Sequence, residues 1–93
     1  IDTPLSIMSK CKNLFDIIED LVKYGNKNSF SDTAVALELI HSAIRGAHYN
    51  VKINLRDIED EDYINEKIIE ANNLLSESSN IYKQILNLID KEL

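Results

Sequence analysis

Apolar residues recur in a helical rhythm along almost the whole chain. Ile7, Cys11, Leu14, Ile18 and Leu21 follow one another at spacings of four and three, and Met8, Phe15 and Val22 form a second row at intervals of seven. Residues at these spacings share a helix face, so the two rows predict one helix with a wide apolar side. Thr3-Pro4 marks its start: a capping hydroxyl, then a proline where no amide hydrogen is needed. Gly25, which tolerates positive φ, is expected to end the helix near Tyr24, giving a span of residues 4–24.

Residues 25–32 form a polar turn in which Ser29 and Asp32 resemble a capping box, with Asp in place of the usual Glu. The second helix is expected over residues 31–54, with Ala36, Ile40, Ala43, Ala47, Asn50 and Asn54 as its interior stripe. Small residues there, with Gly46 beside them, would let a neighbouring helix approach closely. Glu38, Ser42, Arg45 and Lys52 fall on the opposite, solvated side. Apolar residues on most faces make this the helix expected to be most buried. Arg56 to Asp62 reads as an acidic linker that starts a third helix, since carboxylates complement the positive end of its dipole. Across residues 60–92, Ile64, Ile68, Ala71, Leu75, Ser78, Tyr82, Ile85 and Ile89 keep a heptad rhythm, widened by Leu74, Ile81 and Leu88. Such a helix is about 45 Å long, more than a compact three-helix domain needs, so a partner surface is expected.

Composition narrows the classes. Of 93 residues, 44% are hydrophobic, with two Gly and one Pro, which suits an all-α, antiparallel bundle of three long helices. A net charge of −6 repels phosphate backbones and anionic lipid, so neither nucleic acid nor a membrane surface is an expected partner. No apolar run approaches the ~20 residues that span a bilayer, and no secretory-leader pattern is visible. The single Cys11 has no partner for a disulfide or at zinc-ligand spacing and reads as a core thiol. A cytoplasmic location is the expectation.

Polar side chains crowd the start of the second helix: Asn26, Lys27, Asn28, Ser29, Ser31 and Asp32. Free N–H groups there favour anions, although capping accounts for the serines equally simply. For Asp32, capping and a role in binding or proton transfer are both open. Asn50 and Asn54 read as buried amides whose partners are a ligand or, more commonly, backbone carbonyls. His41, Arg45, His48 and Lys52 lie along one helical side at spacings of four, three and four. That strip suits an anionic tail, but a solvated edge is the commoner outcome. No Gly-rich phosphate loop, metal-ligand cluster or nucleophile–base pair is recognisable. Periodicity and spacing alone stop at a component of a helical bundle.

The stretch from Gly25 to Asn54, GNKNSFSDTAVALELIHSAIRGAHYNVKIN, resembles the signature of the formiminotetrahydrofolate cyclodeaminase and methenyltetrahydrofolate cyclohydrolase family. That signature runs GNPNSxSDxxVA, then a small-residue helix, then GAxxNVxIN and an acidic stretch. The Thr-Pro-Leu start, Cys11 and the long closing helix are also similar. Lys27 stands where the family usually has proline, Thr33 and Glu38 where small or apolar residues are common, and His48-Tyr49 where a smaller pair is usual. The family's N-terminal half, with its glycine-rich loop, has no counterpart in these residues. The resemblance implies the C-terminal half of one all-helical domain, part of a larger dimeric bundle with its folate site near the subunit interface. It further implies an enzyme of one-carbon folate metabolism that cyclodeaminates 5-formiminotetrahydrofolate or hydrolyses 5,10-methenyltetrahydrofolate. Its partners would be a tetrahydrofolate derivative, a second copy in a homodimer and the missing N-terminal half, with no cofactor beyond the folate substrate and no metal. Asp32 would be the catalytic or pterin-binding carboxylate, with Asn26, Asn28, Ser31, Asn50 and Asn54 binding substrate. The alternative is a non-enzymatic helical interaction or oligomerisation module.

Overall fold

Three seven-residue rows, one from each helix, meet along a single core axis in the computed structural model, which describes residues 1–92. The elements are α1 (Asp2–Tyr24), a 3-10 turn (Lys27–Ser29), α2 (Phe30–Leu55) and α3 (Glu61–Glu92). Met8, Phe15 and Val22 from α1 meet Leu37, Ile44 and Val51 from α2 and Ala71, Ser78 and Ile85 from α3. Lys67 lies 3.8 Å from Asp2 and Lys27 lies 3.2 Å from Glu92, so α3 runs parallel to α1 and antiparallel to α2. The result is an up-down-up bundle 51 Å long and 17 by 16 Å across. Among the described residues there is no strand, and the fold is the expected all-helical one.

The predicted faces are rotated in two helices. In α1 the core centres on Met8, Phe15, Ile18 and Val22, while Cys11 is half-buried and Ile7, Leu14 and Leu21 are exposed by 42–45%. In α2 the buried side chains are Phe30, Thr33, Leu37, Ile44, Ala47, His48, Val51 and Leu55. Of the predicted stripe, Ala47 is buried, Ala36 and Ile40 are half-buried, and Ala43, Asn50 and Asn54 are exposed. The large aliphatic row takes the centre because each side chain removes far more apolar area from water than an alanine does. Even so, α2 has the most buried residues, eight against six in α1 and four in α3. The α3 seam follows the expected heptad, with Ala71, Ser78, Ile85 and Ile89 buried and Ile64, Ile68, Leu75 and Tyr82 half-buried beside them.

Helix ends differ in detail from the sequence reading. α1 starts at Asp2, with Ile1 at the cap position and no side-chain cap, so Thr3 is not the capping residue. Pro4 then sits in the first turn, where the amide would be unbonded anyway. Gly25 is extended (φ −82°, ψ 178°), not left-handed, and donates its N–H to the Leu21 carbonyl at 2.9 Å. A Cβ at Gly25 would stand 2.3 Å from that carbonyl oxygen, so closeness to backbone, and not φ, demands glycine. At the other turn Asp60 Oδ1 accepts from the Tyr63 N–H at 3.1 Å and opens α3 as the acidic linker predicts.

Ser78 is fully buried, and its hydroxyl has no hydrogen-bond partner. An unpaired buried hydroxyl is a net cost, so Ser78→Ala is expected to raise stability by about 1 kcal/mol. A urea midpoint that falls in this variant would show that the hydroxyl is satisfied in solution.

Candidate functional site

The polar turn before α2 is held by its own amides. Asn26 Oδ1 accepts from the Asn28 N–H at 2.9 Å, and the Ser29 N–H donates to the Asn26 carbonyl at 3.0 Å, closing the 3-10 turn. The Ser29–Asp32 capping box does not form: Ser29 makes no side-chain cap, and Thr33 Oγ1 instead donates to the Ser29 carbonyl at 3.0 Å. Phe30, in the midst of these polar residues, is 3% exposed and fixes the start of α2. Asn26, Asn28, Ser31 and Asp32 are thereby gathered at one end of the bundle, and all are exposed. Asp32 lies in the first turn of α2, at the positive end of its dipole, and its side chain is open to solvent. Among the described residues its carboxylate has no ion pair or side-chain hydrogen bond.

Asn50 and Asn54 sit at the other end of the same helix, exposed and not buried. Eighteen residues of α-helix separate Asp32 from Asn50, about 27 Å at 1.5 Å per residue. The chain therefore groups Asp32 with Asn26, Asn28 and Ser31 and leaves Asn50 and Asn54 apart from them.

Both ends nevertheless lie on one face. α3 touches α2 through Glu38, His41 and His48, and touches α1 through Asp2 and Lys12. At about 100° per residue, Asp32, Leu39, Ala43, Gly46 and Asn50 lie on the flank of α2 turned away from those contacts. Ile7, Leu14 and Leu21 lie on the corresponding flank of α1. Leu39 is 65% exposed and Ile53 58%, and a Cβ at Gly46 would meet nothing within 4 Å. The two helices thus present one apolar surface opposite α3, with Asp32 near one end and Asn50 near the other.

The α2–α3 seam carries the histidines. His48 is 7% exposed, and its Nε2 lies 2.8 Å from Asn72 Oδ1. The His41 ring stacks on Tyr82 at 3.9 Å between centroids, while the Tyr82 hydroxyl donates to Glu38 Oε1 at 2.6 Å. These two side chains do not form the solvated edge read from their spacing, whereas Arg45 and Lys52 on the same strip are exposed. Burial, and then the Arg45 charge, push the His41 pKa below its ordinary 6.5, against a smaller opposing pull from Glu38. The hydrogen bond to Glu38, with burial behind it, raises the Tyr82 hydroxyl. Folding therefore favours neutral His41. Its contribution is present above the unfolded value and is lost as pH falls from there through the lower folded value. The urea midpoint is expected to drop as pH falls below about 6.5, and His41→Gln should flatten that drop. An unchanged slope in the variant would remove His41 as its source.

A cavity of about 430 Å³ between α1 and α3 is lined by Asp2, Leu5, Ser6, Ser9, Lys10, Glu70 and Leu74 and includes none of the expected site residues. Among the described residues no three His, Cys, Asp or Glu side chains converge as a metal site, and no helix is long and apolar enough to cross a membrane.

Comparison with known proteins gives this geometry its context. Residues 1–73 match the family model described as formiminotransferase-cyclodeaminase. The chain is 32% identical to a formimidoyltransferase-cyclodeaminase of Gallus gallus over 98% of its own length and 17% of the relative's. It is 27% identical to a methenyltetrahydrofolate cyclohydrolase of Methylorubrum extorquens over 99% of its length and 44% of the relative's. A formimidoyltransferase-cyclodeaminase of Dictyostelium discoideum is 32% identical over 96% of the chain and 17% of the relative. The chain thus spans less than half the length of each of these relatives. No solved structure matches it.

Proposed function

The chain belongs to the formiminotransferase-cyclodeaminase family, and from that premise we propose that it supplies the folate-binding side of a one-carbon enzyme domain. The reaction is cyclodeamination of 5-formiminotetrahydrofolate or hydrolysis of 5,10-methenyltetrahydrofolate. In the first, a folate nitrogen attacks the formimino carbon and ammonia leaves, so one group must accept a proton and another must donate one. In the second, water adds to the methenyl carbon. The observation behind this reading is the placement of Asp32 on an exposed apolar face, beside a turn built from Asn26, Asn28 and Ser31.

An unpaired carboxylate there can receive paired hydrogen bonds from the amino and ring N–H groups of a pterin. Asn26, Asn28 and Ser31 would orient the ligand around it. Asn50 and Asn54 are too far along α2 to reach the same ligand from the same chain. In a homodimer with two α2 outer faces packed antiparallel, however, Asn50 and Asn54 of a second copy come beside Asp32. Gly46, Ala43 and Ser42 near the middle of α2 suit a close crossing. The N-terminal half of the domain would cover the remaining apolar surface of α1. A one-carbon derivative of tetrahydrofolate is the substrate, with no further cofactor.

The test is calorimetric titration of 5-formyltetrahydrofolate, a stable substrate mimic, into this chain joined to the N-terminal half of a family domain. Micromolar binding that disappears in Asp32→Ala supports the reading. With helical content intact, no binding would favour a helical interaction module instead.

A further inference from the structure

The flank of α2 next to α3 carries charges that the outer face does not use. Arg45, His48, Tyr49 and Lys52 line a cleft of about 150 Å³ closed on the α3 side by Leu75. No carboxylate lines it, in a chain with 16 acidic against 10 basic residues. Lys12, Lys23, Lys27 and Lys67 each have a carboxylate within 4 Å, at Glu77, Glu19, Glu92 and both Asp2 and Glu70 respectively. Among the described residues Arg45 and Lys52 have none, nor do Lys10, Arg56, Lys83 and Lys91; what sets Arg45 and Lys52 apart is that they line one cleft together. They stand seven residues apart, two turns along one side of α2, with the ring of His48 between them fixed by Asn72. The Arg45 charge already acts on its surroundings, since it is one reason that His41 resists protonation.

We propose that this cleft is a binding site for an oxyanion group, carboxylate or phosphate, held between the Arg45 guanidinium and the Lys52 ammonium, with Tyr49 at its edge and Leu75 as its apolar floor. A guanidinium presents a planar fork of donors that fits either anion in a bidentate way, and an ammonium adds a mobile point charge. The apolar floor excludes water from one side and strengthens both contacts. Buried His48, held by Asn72, and half-buried Leu75 give the cleft a fixed base, from which the exposed Arg45 and Lys52 side chains extend. The site lies on the opposite flank of α2 from Asp32 and stands or falls independently of the folate reading.

Inorganic phosphate and glutarate, titrated separately into the full chain at low salt, test this through the His48 ring and Leu75 methyl NMR signals. Saturable shifts at both groups with either anion are expected, weakened at least about tenfold in Arg45→Gln/Lys52→Gln and unchanged in Lys83→Gln/Lys91→Gln. Saturation by phosphate alone assigns the phosphate class, and by glutarate alone the carboxylate class. Shifts that never saturate, or that survive the Arg45/Lys52 double variant, overturn the proposal.

Discussion

Asp32→Asn, in this chain assembled with the rest of a family domain, is expected to cut folate turnover by about a hundredfold or more while leaving the fold intact. The size follows from what a positioned proton-transfer group contributes, about 10²–10⁴-fold. Intact folding follows from the structure: Asp32 is exposed, and no side-chain bond among the described residues depends on it. An amide keeps the shape and hydrogen-bonds a pterin in part, but it cannot take a proton. Steady-state rates with 5-formiminotetrahydrofolate and with 5,10-methenyltetrahydrofolate check this, alongside a circular dichroism spectrum. Wild-type rates on both substrates would remove Asp32 from the chemistry.

Phe15→Ala carries the largest expected cost to stability. Phe15 is fully buried at the centre of the α1 row, the largest of the fully buried side chains. Truncating a buried phenylalanine costs about 3–5 kcal/mol, from lost transfer energy and the cavity left behind. A domain of this size has about 5–15 kcal/mol in total, so the variant should be largely unfolded at modest urea concentrations. Leu14→Ala, one residue away but 43% exposed, should cost far less in the isolated chain. Equal urea midpoints for the two variants would mean that the α1 core face is misassigned.

That contrast also marks where the sequence was legible. The helices, the acidic start of α3 and its heptad seam follow from period and end signals, because only one face of α3 is rich in apolar residues. In α1 and α2 apolar residues occupy most faces, so periodicity alone does not choose among rows. Leu14 and Phe15 are equally good candidates until the other helices are in place. Gly25 was correctly placed at a helix end, but for a contact with Leu21 that sequence spacing does not show. Phe30 was hidden by its polar neighbours.

The site was legible only in part. The gathering of Asn26, Asn28, Ser31 and Asp32 follows from their closeness in sequence. The separation of Asn50 from Asp32 was equally readable, since eighteen helical residues cannot be brought together within one chain. The seam partners were not readable: His41 meets Tyr82 and His48 meets Asn72 only through the packing of α2 on α3. From spacing alone the strip they share therefore reads as solvated surface.

Amide NMR with 5-formyltetrahydrofolate, on this chain joined to the N-terminal half of a family domain, would locate the folate on the bundle residue by residue. Shifts are expected to concentrate at residues 26–32 and along the outer face of α2, at Leu39 and Asn50, with the His41–Tyr82 seam little changed. Shifts confined to the α2–α3 seam or to the cavity beside Ser6 and Glu70, with Asp32 unmoved, would contradict that placement.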